Sequence, residues 1–578
     1  MKRIILVLFP WCLAWNMPAQ TNIISTNNLA EQVMLGNYES ALFAGMPAAN
    51  DPSEMAAQLS AAISADSLKA YILQLSSFYN RNAGSDTIST IRGIGAARNW
   101  TFQKFNEFSA SNNQRLISSF LQFDQNICAV GQHKNIFAVL PGAVPSSGVV
   151  LIEGHIDSRC AGICDTACIA EGVEDNATGT ALVLEMARVM SKWQFNNTIV
   201  FLITTAEEQG LYGALAFANY VQQKSILLRA VFNNDVIGGV LCGQTSSAPS
   251  CPGLNHVDST SVRLFSNGGF NSKHKQLARF IKLQYQENVL PTALIPMNVR
   301  VMAPEDRSGR GGDHIPFRQK NYTAMRFTAA NEHGNASNTP DYTDRQHTSS
   351  DVLGEDHDHD GNVDSFFVDF NYLARNTLIN ANAATIAARN VAPAPGFSVG
   401  RNADLLVMQF DQPIDTQTIR IALRTSTNDW DTVYTISPGA SDVLYCNPSG
   451  QLFVSVAGVD SWGNESFFST EKIVQNVATE EPSAESFGIE LYQNRPNPFD
   501  EATWISFFVH KMPEAVVSAH IQIADLQGKT IKTIPVAVVK EGMNEVLYTH
   551  GYGVTGAFVY SLIINGVQIA SKQMIFAN

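Results

Sequence analysis

Long apolar runs are missing from this 578-residue chain after its first 20 residues. A membrane-spanning helix needs about 20 consecutive apolar residues, so no transmembrane anchor is expected. The exception, MKRIILVLFPWCLAWNMPAQ, has basic Lys2 and Arg3, an apolar stretch from Ile4 to Trp15, and then Ala19. That order is typical of a secretory signal peptide over residues 1–19, and the apolar stretch is too short to span a bilayer. The sequence therefore predicts a secreted protein.

Clusters of basic residues are also missing. The sequence has 38 Lys and Arg against 52 Asp and Glu, which gives a formal net charge of −14. Proteins that bind nucleic acid or anionic lipid do so mainly through basic clusters. We therefore expect neither nucleic acid nor a membrane surface as a partner.

Cysteine is scarce, with eight in the chain, and Cys12 would leave with the signal peptide. Export permits disulfides, and Cys242 and Cys251 flank a short polar loop, so we expect this pair to be bonded. A second group lies in one loop directly after His155: Cys160, Cys164 and Cys168. These three could form a separate metal site, but a disulfide that stiffens the loop is favoured because thiols oxidise outside the cell. The remaining candidates for pairing are Cys128 and Cys446.

The chain is too long for a single hydrophobic core. Residues 20–58 are polar with weak periodicity and predict an N-terminal arm or a propeptide. Over residues 59–390, apolar runs alternate with amphipathic helical patterns, which predicts an α/β domain with a mixed, mostly parallel sheet covered by helices. The linker NVAPAPG (390–396) follows. Short alternating runs then predict two small all-β sandwich domains, at residues 397–475 and 488–578.

Three apolar runs of the α/β region end in side chains that can bind metal: GVVLIEGHID, TIVFLITTAEE and RAVFNNDVIG. Runs of this kind are typical of buried parallel strands, and open α/β sheets place their chemistry at the carboxyl ends of such strands. The candidate residues, including two from intervening segments, are His155, Asp175, Glu207, Glu208, Asp235 and His347. Imidazole nitrogens and carboxylate oxygens suit zinc, and their number suits two ions.

The spacing of these residues indicates separate roles. Asp157 follows His155 by two positions in an extended segment, so it shares a face with His155 and is predicted to accept a hydrogen bond from the imidazole. Asp175 has two carboxylate oxygens and can bridge two metal ions. Glu207 and Glu208 are adjacent and point in different directions, so one can bind metal while the other acts as a base.

These residues stand in motifs that resemble those of the M28 family of zinc aminopeptidases: GHIDS, EDNATG, TTAEEQGLYGA, NNDVIG and HTSSD. The resemblance covers roughly residues 60–390 and implies a mixed eight-stranded α/β sheet. It implies that two zinc ions are held by His155, Asp175, Glu208, Asp235 and His347, with Asp175 as the bridge. It also implies that Glu207 is the general base, that Asp157 supports His155, and that a water between the zinc ions attacks peptide substrates at their N-terminal residue.

Three further features lie near these motifs. The cysteine-bearing loop at 159–170 departs from the family pattern and is expected to shape the mouth of the pocket. Asp313 and His314, in GRGGDHIPF, either line the substrate pocket or form a structural loop pair.

A possible calcium loop stands in EDHDHDGNVD, where carboxylates alternate before a glycine: Asp356, Asp358 and Asp360. The pattern resembles the start of a calcium-binding loop. Its twelfth position is Phe367 rather than a glutamate, and Asp364 is instead a candidate cap for the helix that follows.

The two carboxy-terminal units carry resemblances of their own. Residues 397–475 resemble a fibronectin type III domain, chiefly through VAGVDSWGNES. The last unit resembles the C-terminal sorting domain of the type IX secretion system, through LYQNRPNPF, IADLQGKTI and GAFVYSLIINGVQIASKQM. That resemblance implies the type IX machinery as a partner and export through the periplasm and outer membrane, to the medium or the cell surface.

Three other functions fit parts of the same pattern. A glutaminyl cyclase of this fold would use a single zinc ion, whereas both candidate histidines here stand in full motifs. A carboxypeptidase would share the metal ligands. A non-catalytic surface adhesin would act through the fibronectin-like unit, although the complete ligand set argues against a decayed catalytic domain.

Overall fold

The computed structural model describes residues 20–242, 256–307, 310–331, 345–402, 405–411, 418–425, 429–437, 443–445, 452–474, 488–512, 516, 518–525, 529–551 and 555–577. The predicted signal peptide, Cys251 and Cys446 lie outside these residues. Among the described residues, no helix combines the length and the apolar character needed to cross a membrane.

A nine-stranded mixed sheet forms the centre of the first domain. Its strands are β1 (Thr21–Ser25), β2 (Ile117–Ile127), β3 (Val130–Leu140), β4 (Val149–His155), β5 (Thr198–Thr204), β6 (Leu228–Asn234), β7 (Ser261–Phe265), β8 (Asn298–Val301) and β9 (Ala324–Ala329). Their order across the sheet is β1-β2-β3-β5-β4-β6-β9-β7-β8. The central strands β5, β4, β6 and β9 run parallel, and antiparallel pairs flank them.

Helices cover both faces of this sheet. They are α1 (Asn28–Met34), α2 (Pro52–Ala62), α3 (Ala65–Ser76), α4 (Gly93–Ala110), α5 (Thr178–Met190), α6 (Tyr212–Gln223), α7 (Lys273–Gln284), α8 (His314–Gln319) and α9 (Phe370–Ala387). Along β4, Val150 and Ile152 pack into one apolar core, and Val149 and Leu151 pack into the other. Alternate side chains of one strand thus enter opposite layers, which explains why its sequence is apolar without interruption.

The N-terminal segment belongs to this domain. Residue pairs such as Thr21 with Asp124 join β1 to β2 in an antiparallel ladder. Ala30 and Val33 of α1 and Met55 and Leu59 of α2 are buried in the two cores. The arm predicted at residues 20–58 therefore adds the ninth strand to a sheet that the family resemblance had implied to have eight.

Two all-β units follow α9. The first has a three-stranded sheet (Phe397–Asn402, Leu405–Phe410, Val443–Tyr445) and a four-stranded sheet (Thr418–Arg424, Thr432–Ile436, Leu452–Val459, Lys472–Val474). The second repeats that arrangement with Ile489–Leu491, Ala502–Val509 and Gly542–Thr549, then Ala519–Ala524, Thr530–Pro535, Gly556–Ile564 and Val567–Phe576. Each unit has its own apolar core.

The first β unit packs against α7 of the α/β domain through a buried ion cluster. Glu471 accepts hydrogen bonds from Arg424 Nε at 2.8 Å and from Arg279 Nη1, on α7, at 3.0 Å. Burial alone would raise the pKa of Glu471, but the charges of Arg279 and Arg424 outweigh it and lower the pKa to about 2. Around the cluster, Phe280 of α7 meets Phe467 edge to face.

We expect Glu471→Gln to lower the free energy of unfolding by roughly 3–5 kcal/mol at neutral pH, because it removes the buried carboxylate charge that both arginines contact. Since the folded-state pKa lies below the ordinary value of 4.5, this stabilisation is complete above pH 4.5 and is lost as the pH falls toward about 2. Denaturant unfolding at several pH values measures the gap between wild type and variant.

The matched control is Glu107→Gln, which removes a surface ion pair with Lys104 and should cost less than about 1 kcal/mol. This account of the interface would be contradicted if Glu471→Gln were as stable as the control at neutral pH. It would also be contradicted if the difference in unfolding free energy between wild type and Glu471→Gln stayed the same in acid.

Candidate metal centre

Three neighbouring parallel strands deliver polar side chains to one edge of the sheet. His155 is the last residue of β4, Asp235 directly follows β6, and Glu207 and Glu208 come shortly after β5. His155 pairs in register with Thr204, the end of β5, so these strands finish at the same level. The crevice that the apolar runs predicted at the carboxyl edge of the sheet is therefore present. It brings together the candidate residues that follow these three strands.

The other two candidates reach this crevice from loops. Asp175 lies in the buried turn Val173–Ala177 that precedes α5. His347 lies in a loop and adopts a positive φ of 60°. The carboxylate of Asp351 accepts the backbone N–H groups of Glu174 and Asp175 at 2.8 and 3.0 Å, which fixes the turn that carries Asp175.

Five of the six candidate residues form two groups that share Asp175. Oδ1 of Asp175 lies 3.2 Å from Nε2 of His155, and Oδ2 lies 3.1 Å from Nε2 of His347. Asp235 Oδ1 is 3.3 Å from the His155 nitrogen, and Glu208 Oε2 is 3.1 Å from the His347 nitrogen. Each imidazole thus faces one oxygen of Asp175 and one further carboxylate.

This donor set fits zinc. Two imidazole nitrogens and three carboxylates match the ligand chemistry of zinc sites. Potential ligand atoms of Asp175, Glu208 and His347 lie within 4.8 Å of one another, and so do those of His155, Glu207 and Asp235. Within the described residues, Glu208 Oε1 is buried and has no hydrogen-bond partner. Carboxylates packed this closely and removed from water need cations to offset their repulsion and desolvation.

Glu207 lies beside this set and differs from Glu208 in its surroundings. Its carboxylate belongs to the group around His155 and Asp235 and lines the cavity above them. Desolvation in the enclosed site raises the pKa of Glu207 well above its usual range, against the opposing charge of His155. A carboxyl group with that proton affinity, facing the cavity, is suited to accept and return a proton.

Asp157 is placed differently from the sequence prediction. Nδ1 of His155 lies 3.1 Å from the backbone oxygen of Asp157 and 3.6 Å from its carboxylate. The carboxylate instead accepts the backbone N–H groups of Glu207 and Glu208, at 3.2 and 3.1 Å. Asp157 therefore orients His155 through its carbonyl and holds the segment with both glutamates through its side chain.

Two buried arginines support the crevice and were not singled out from the sequence. Arg326 Nη2 lies 3.1 Å from Asp235 Oδ2, which leaves Oδ1 for the metal side, and its charge lowers the pKa of Asp235 against the effect of burial. Arg81 donates to the carbonyls of Ile156 and Gly172, next to the two ligand-bearing segments. The sequence around Arg326 or Arg81 does not indicate these roles, because the parts of the site that each arginine contacts lie far away in the sequence.

The centre opens into a cavity of about 250 Å³. Its walls are formed by Asp175, Glu207, Glu208, Asp235 and His347, together with Arg159, Arg307, Arg310, Leu211 and Gly311. Eight of these ten residues have a charged or imidazole side chain, so charged groups dominate the cavity wall.

Asp313 and His314 do not line this cavity. Their contacts are those of a structural loop pair, the second of the two roles considered for them. Both side chains are fully buried. Asp313 accepts a hydrogen bond from Thr204 Oγ1 at 2.5 Å, and His314 Nε2 lies 3.2 Å from the carbonyl of Glu305. Neither residue is among those that line the cavity, so the geometry favours the structural loop pair over the pocket role.

The cysteine-bearing loop at 159–170 is held by two disulfides. Cys160 pairs with Cys168, and Cys164 pairs with Cys128. Cys242 is also disulfide-bonded, and its predicted partner lies outside the described residues. The loop is thus fixed at both ends beside His155, and its first residue, Arg159, reaches the cavity.

The acidic loop lies away from the cavity on the surface. Asp356, Asp358 and Asp360 each offer a carboxylate oxygen within 4.8 Å of the others, and the peptide N–H of Gly361 donates to Asp356 at 2.9 Å. Asp364 accepts the N–H of His357. The cap of the following helix is Asp369, so the capping role considered for Asp364 is wrong.

The chain matches a protein-family model, several known relatives and several solved structures. The model for "Peptidase family M28" matches residues 135–363. A "Probable zinc metalloprotease" of Leptosphaeria maculans is 30% identical over 361 residues, which are 60% of this chain and 79% of that protein. One of Pyrenophora tritici-repentis is 31% identical over 368 residues, or 61% and 80% of the two chains.

Among solved structures, "The crystal structure of Legionella pneumophila LapA aminopeptidase" covers 59% of this chain and 75% of its own, with 20% identity and a TM-score of 0.43.

The position of Asp157 predicts that Asp157→Asn lowers zinc affinity or activity by about 10- to 100-fold, because the amide offers a donor where two backbone N–H groups need an acceptor. Zinc titration and activity assays measure the loss. The control Asp124→Asn alters a surface carboxylate that bonds Asn22, and it should leave both quantities unchanged. Equal zinc affinity and activity in the Asp157 and Asp124 variants would refute the role of Asp157.

Proposed function

The chain belongs to peptidase family M28, and from this membership we propose that it is a zinc metallopeptidase that uses two zinc ions to remove N-terminal residues from peptides. The observation that carries the proposal is the position of Asp175 between His155 and His347, with one carboxylate oxygen toward each imidazole. In this proposal His155 and Asp235 complete one zinc site, and His347 and Glu208 complete the other.

The residues of the chain divide the chemistry as follows. Zinc, when bound, supplies a Lewis acid that activates water and polarises the scissile carbonyl. A carboxylate oxygen of Glu207 accepts the proton of the attacking water and then delivers it to the nitrogen of the leaving amine. Asp157 holds the backbone of Glu207 and Glu208, so that the base and the neighbouring ligand keep fixed positions.

Two features favour cleavage at a chain end. The cavity of about 250 Å³ is smaller than the roughly 300–1,000 Å³ typical of ligand pockets, and it suits one terminal residue better than the middle of a peptide. Glu207 also lines the cavity, and its carboxylate is not a zinc ligand in this proposal, so it is available to attract the positively charged free amino group of an unblocked peptide.

Glu207→Gln is expected to abolish cleavage of amino-acid arylamides while zinc stays bound, because the amide keeps the shape of the side chain and loses its proton affinity. Removing a general base lowers rates by about 10²–10⁴-fold. Steady-state kinetics together with zinc analysis of the same preparations measure both parts.

Full activity of Glu207→Gln would remove Glu207 from the mechanism. The same arylamides with a blocked amino group test the reaction class: cleavage of blocked substrates would contradict aminopeptidase action. Cyclisation of N-terminal glutamine without hydrolysis would indicate a glutaminyl cyclase, and release of C-terminal residues a carboxypeptidase. If no peptidase activity appears and residues 397–475 bind a surface ligand, the adhesin function would replace the proposal.

Export is a further part of the proposal, supported by the signal-peptide pattern at residues 1–19 and by the sorting motifs of the last unit. We expect the type IX secretion machinery to carry the folded protein across the outer membrane. N-terminal sequencing of protein from culture medium or cell surface should find a chain that starts after Ala19. Protein retained inside cells with its first 19 residues intact would contradict export.

Calcium at the acidic loop rests on the three clustered carboxylates described above. Calorimetric titration with calcium should show one site that Asp358→Asn weakens, because hard cations prefer carboxylate oxygens. Equal heats for the wild type and this variant would end the calcium hypothesis.

A further inference from the structure

Three of the ten residues that line the cavity are arginines. We call Arg159, Arg307 and Arg310 the arginine wall. The positive charge of this wall is unexpected in a chain with a formal net charge of −14. Neither the metal ligands nor the general base requires a wall of this kind.

The guanidinium groups of Arg159 and Arg310 lie next to the same metal-binding residue. Arg159 Nη2 is 2.7 Å from Nδ1 of His347, and Arg310 Nη1 is 3.2 Å from the same nitrogen. The two cations therefore lie close together, beside the site that His347 and Glu208 would provide. A substrate group held by both would stand next to the scissile bond.

The position of Arg159 is fixed by covalent structure. It precedes Cys160, whose disulfide with Cys168 closes the loop, and Cys164 fastens the loop to Cys128 on the sheet edge. Arg159 Nε also donates to Glu208 Oε2 at 2.8 Å. A guanidinium held in place loses less conformational freedom when it binds a partner, which favours tight binding of a planar anion.

The charge balance shows which substrate group fits. Asp175, Glu207, Glu208 and Asp235 carry up to four negative charges, which two zinc ions would balance. The arginine wall adds three guanidinium groups; Arg159 is paired with Glu208 at 2.8 Å and Arg307 with Asp306 at 3.2 Å, and all three line the cavity. Arginine pairs preferentially with carboxylates, through two parallel N–H···O bonds.

We propose, on the basis of the proposed peptidase function, that the arginine wall binds a substrate carboxylate next to the scissile bond and thereby selects acidic substrates. Two sources offer this group: the side chain of an N-terminal aspartate or glutamate, or the free carboxyl terminus of a very short peptide. Arg159 and Arg310 make the contact, and Arg307, which is paired with Asp306, adds its charge to the same wall.

A second role for Arg159 needs to be separated from this one. Its bond to Glu208 would also hold that ligand in place, and loss of a positioning residue would slow all substrates alike. Loss of carboxylate recognition would change the ratio between acidic and neutral substrates. The ratio is therefore the decisive readout.

The test compares two substrate pairs on the zinc-loaded, full-length protein. Glutamyl- and glutaminyl-arylamide differ only in the side-chain carboxylate, and Ala-Ala and its C-terminal amide differ only in the terminal one. Wild type should prefer the carboxylate member of at least one pair by about 10- to 100-fold, the range of a charge-assisted hydrogen bond. Arg159→Gln and Arg310→Gln should each reduce that preference about 10-fold or more.

Arg92→Gln is the matched control, since this arginine is largely exposed and pairs only loosely with Asp86. It should keep the wild-type preference. Binding supplies a readout apart from turnover: the inactive Glu207→Gln protein should bind Glu-Ala more tightly than Gln-Ala, and a second substitution of Arg159 or Arg310 should remove that difference.

If the enzyme prefers glutamyl- over glutaminyl-arylamide, the arginine wall binds the side chain of the N-terminal residue. If it prefers Ala-Ala over its C-terminal amide, the wall binds the free carboxyl terminus. Cleavage of neutral substrates without preference in either pair would overturn this inference and leave the peptidase function intact. An unchanged preference in both arginine variants would also overturn it. If no peptide is cleaved, the proposed function fails, and equal binding of Glu-Ala and Gln-Ala would then overturn the inference independently.

Discussion

The constraint on which the structure depends is the enclosure of four carboxylates, those of Asp175, Glu207, Glu208 and Asp235, in one crevice. Burial removes the water that would solvate them, and their proximity makes each charge disfavour the next. His155 and His347 lie on either side of Asp175, so nitrogen donors and carboxylate oxygens converge at two points. Divalent cations at these points would offset the repulsion, so metal binding would also stabilise the fold.

The surrounding fold supplies rigid supports for this unfavourable set. Parallel strands β5, β4 and β6 end at one level, and their buried side chains leave little freedom for the residues that follow. Arg326 offsets the outer oxygen of Asp235, and Asp351 fixes the turn that carries Asp175. Each support holds one ligand from the side that faces away from the cavity, which keeps the inner oxygens available.

The disulfides and the β units act farther out. Two disulfides hold the loop that begins with Arg159, so this part of the cavity wall is covalently anchored. The first β unit is fastened to α7 by the ion cluster around Glu471, and Trp504 of the last unit donates to the carbonyl of Ala303, in the loop that leads to Arg307. The last unit thus contacts the segment that leads to Arg307 of the wall.

Much of this site could be predicted from the sequence, because the relevant residues sit at the ends of uninterrupted apolar runs. His155 and Asp235 are set by strand ends alone, and the motif residues Asp175, Glu207 and His347 complete the set. Arg326 and Asp351 could not be predicted, since their partners are distant in sequence. The ninth strand was missed because Thr21–Ser25 is short and polar and is ordered only by pairing with β2. Asp313 and His314 were ambiguous because a local motif does not say which way a buried turn faces.

The central claim is that Asp175 joins two zinc ions. A crystal structure of zinc-loaded protein, with anomalous scattering recorded at the zinc edge, tests it most directly. The account predicts two zinc peaks about 3.5–4 Å apart, with one oxygen of Asp175 on each. A single zinc peak, or two zinc ions that do not share Asp175, would contradict it.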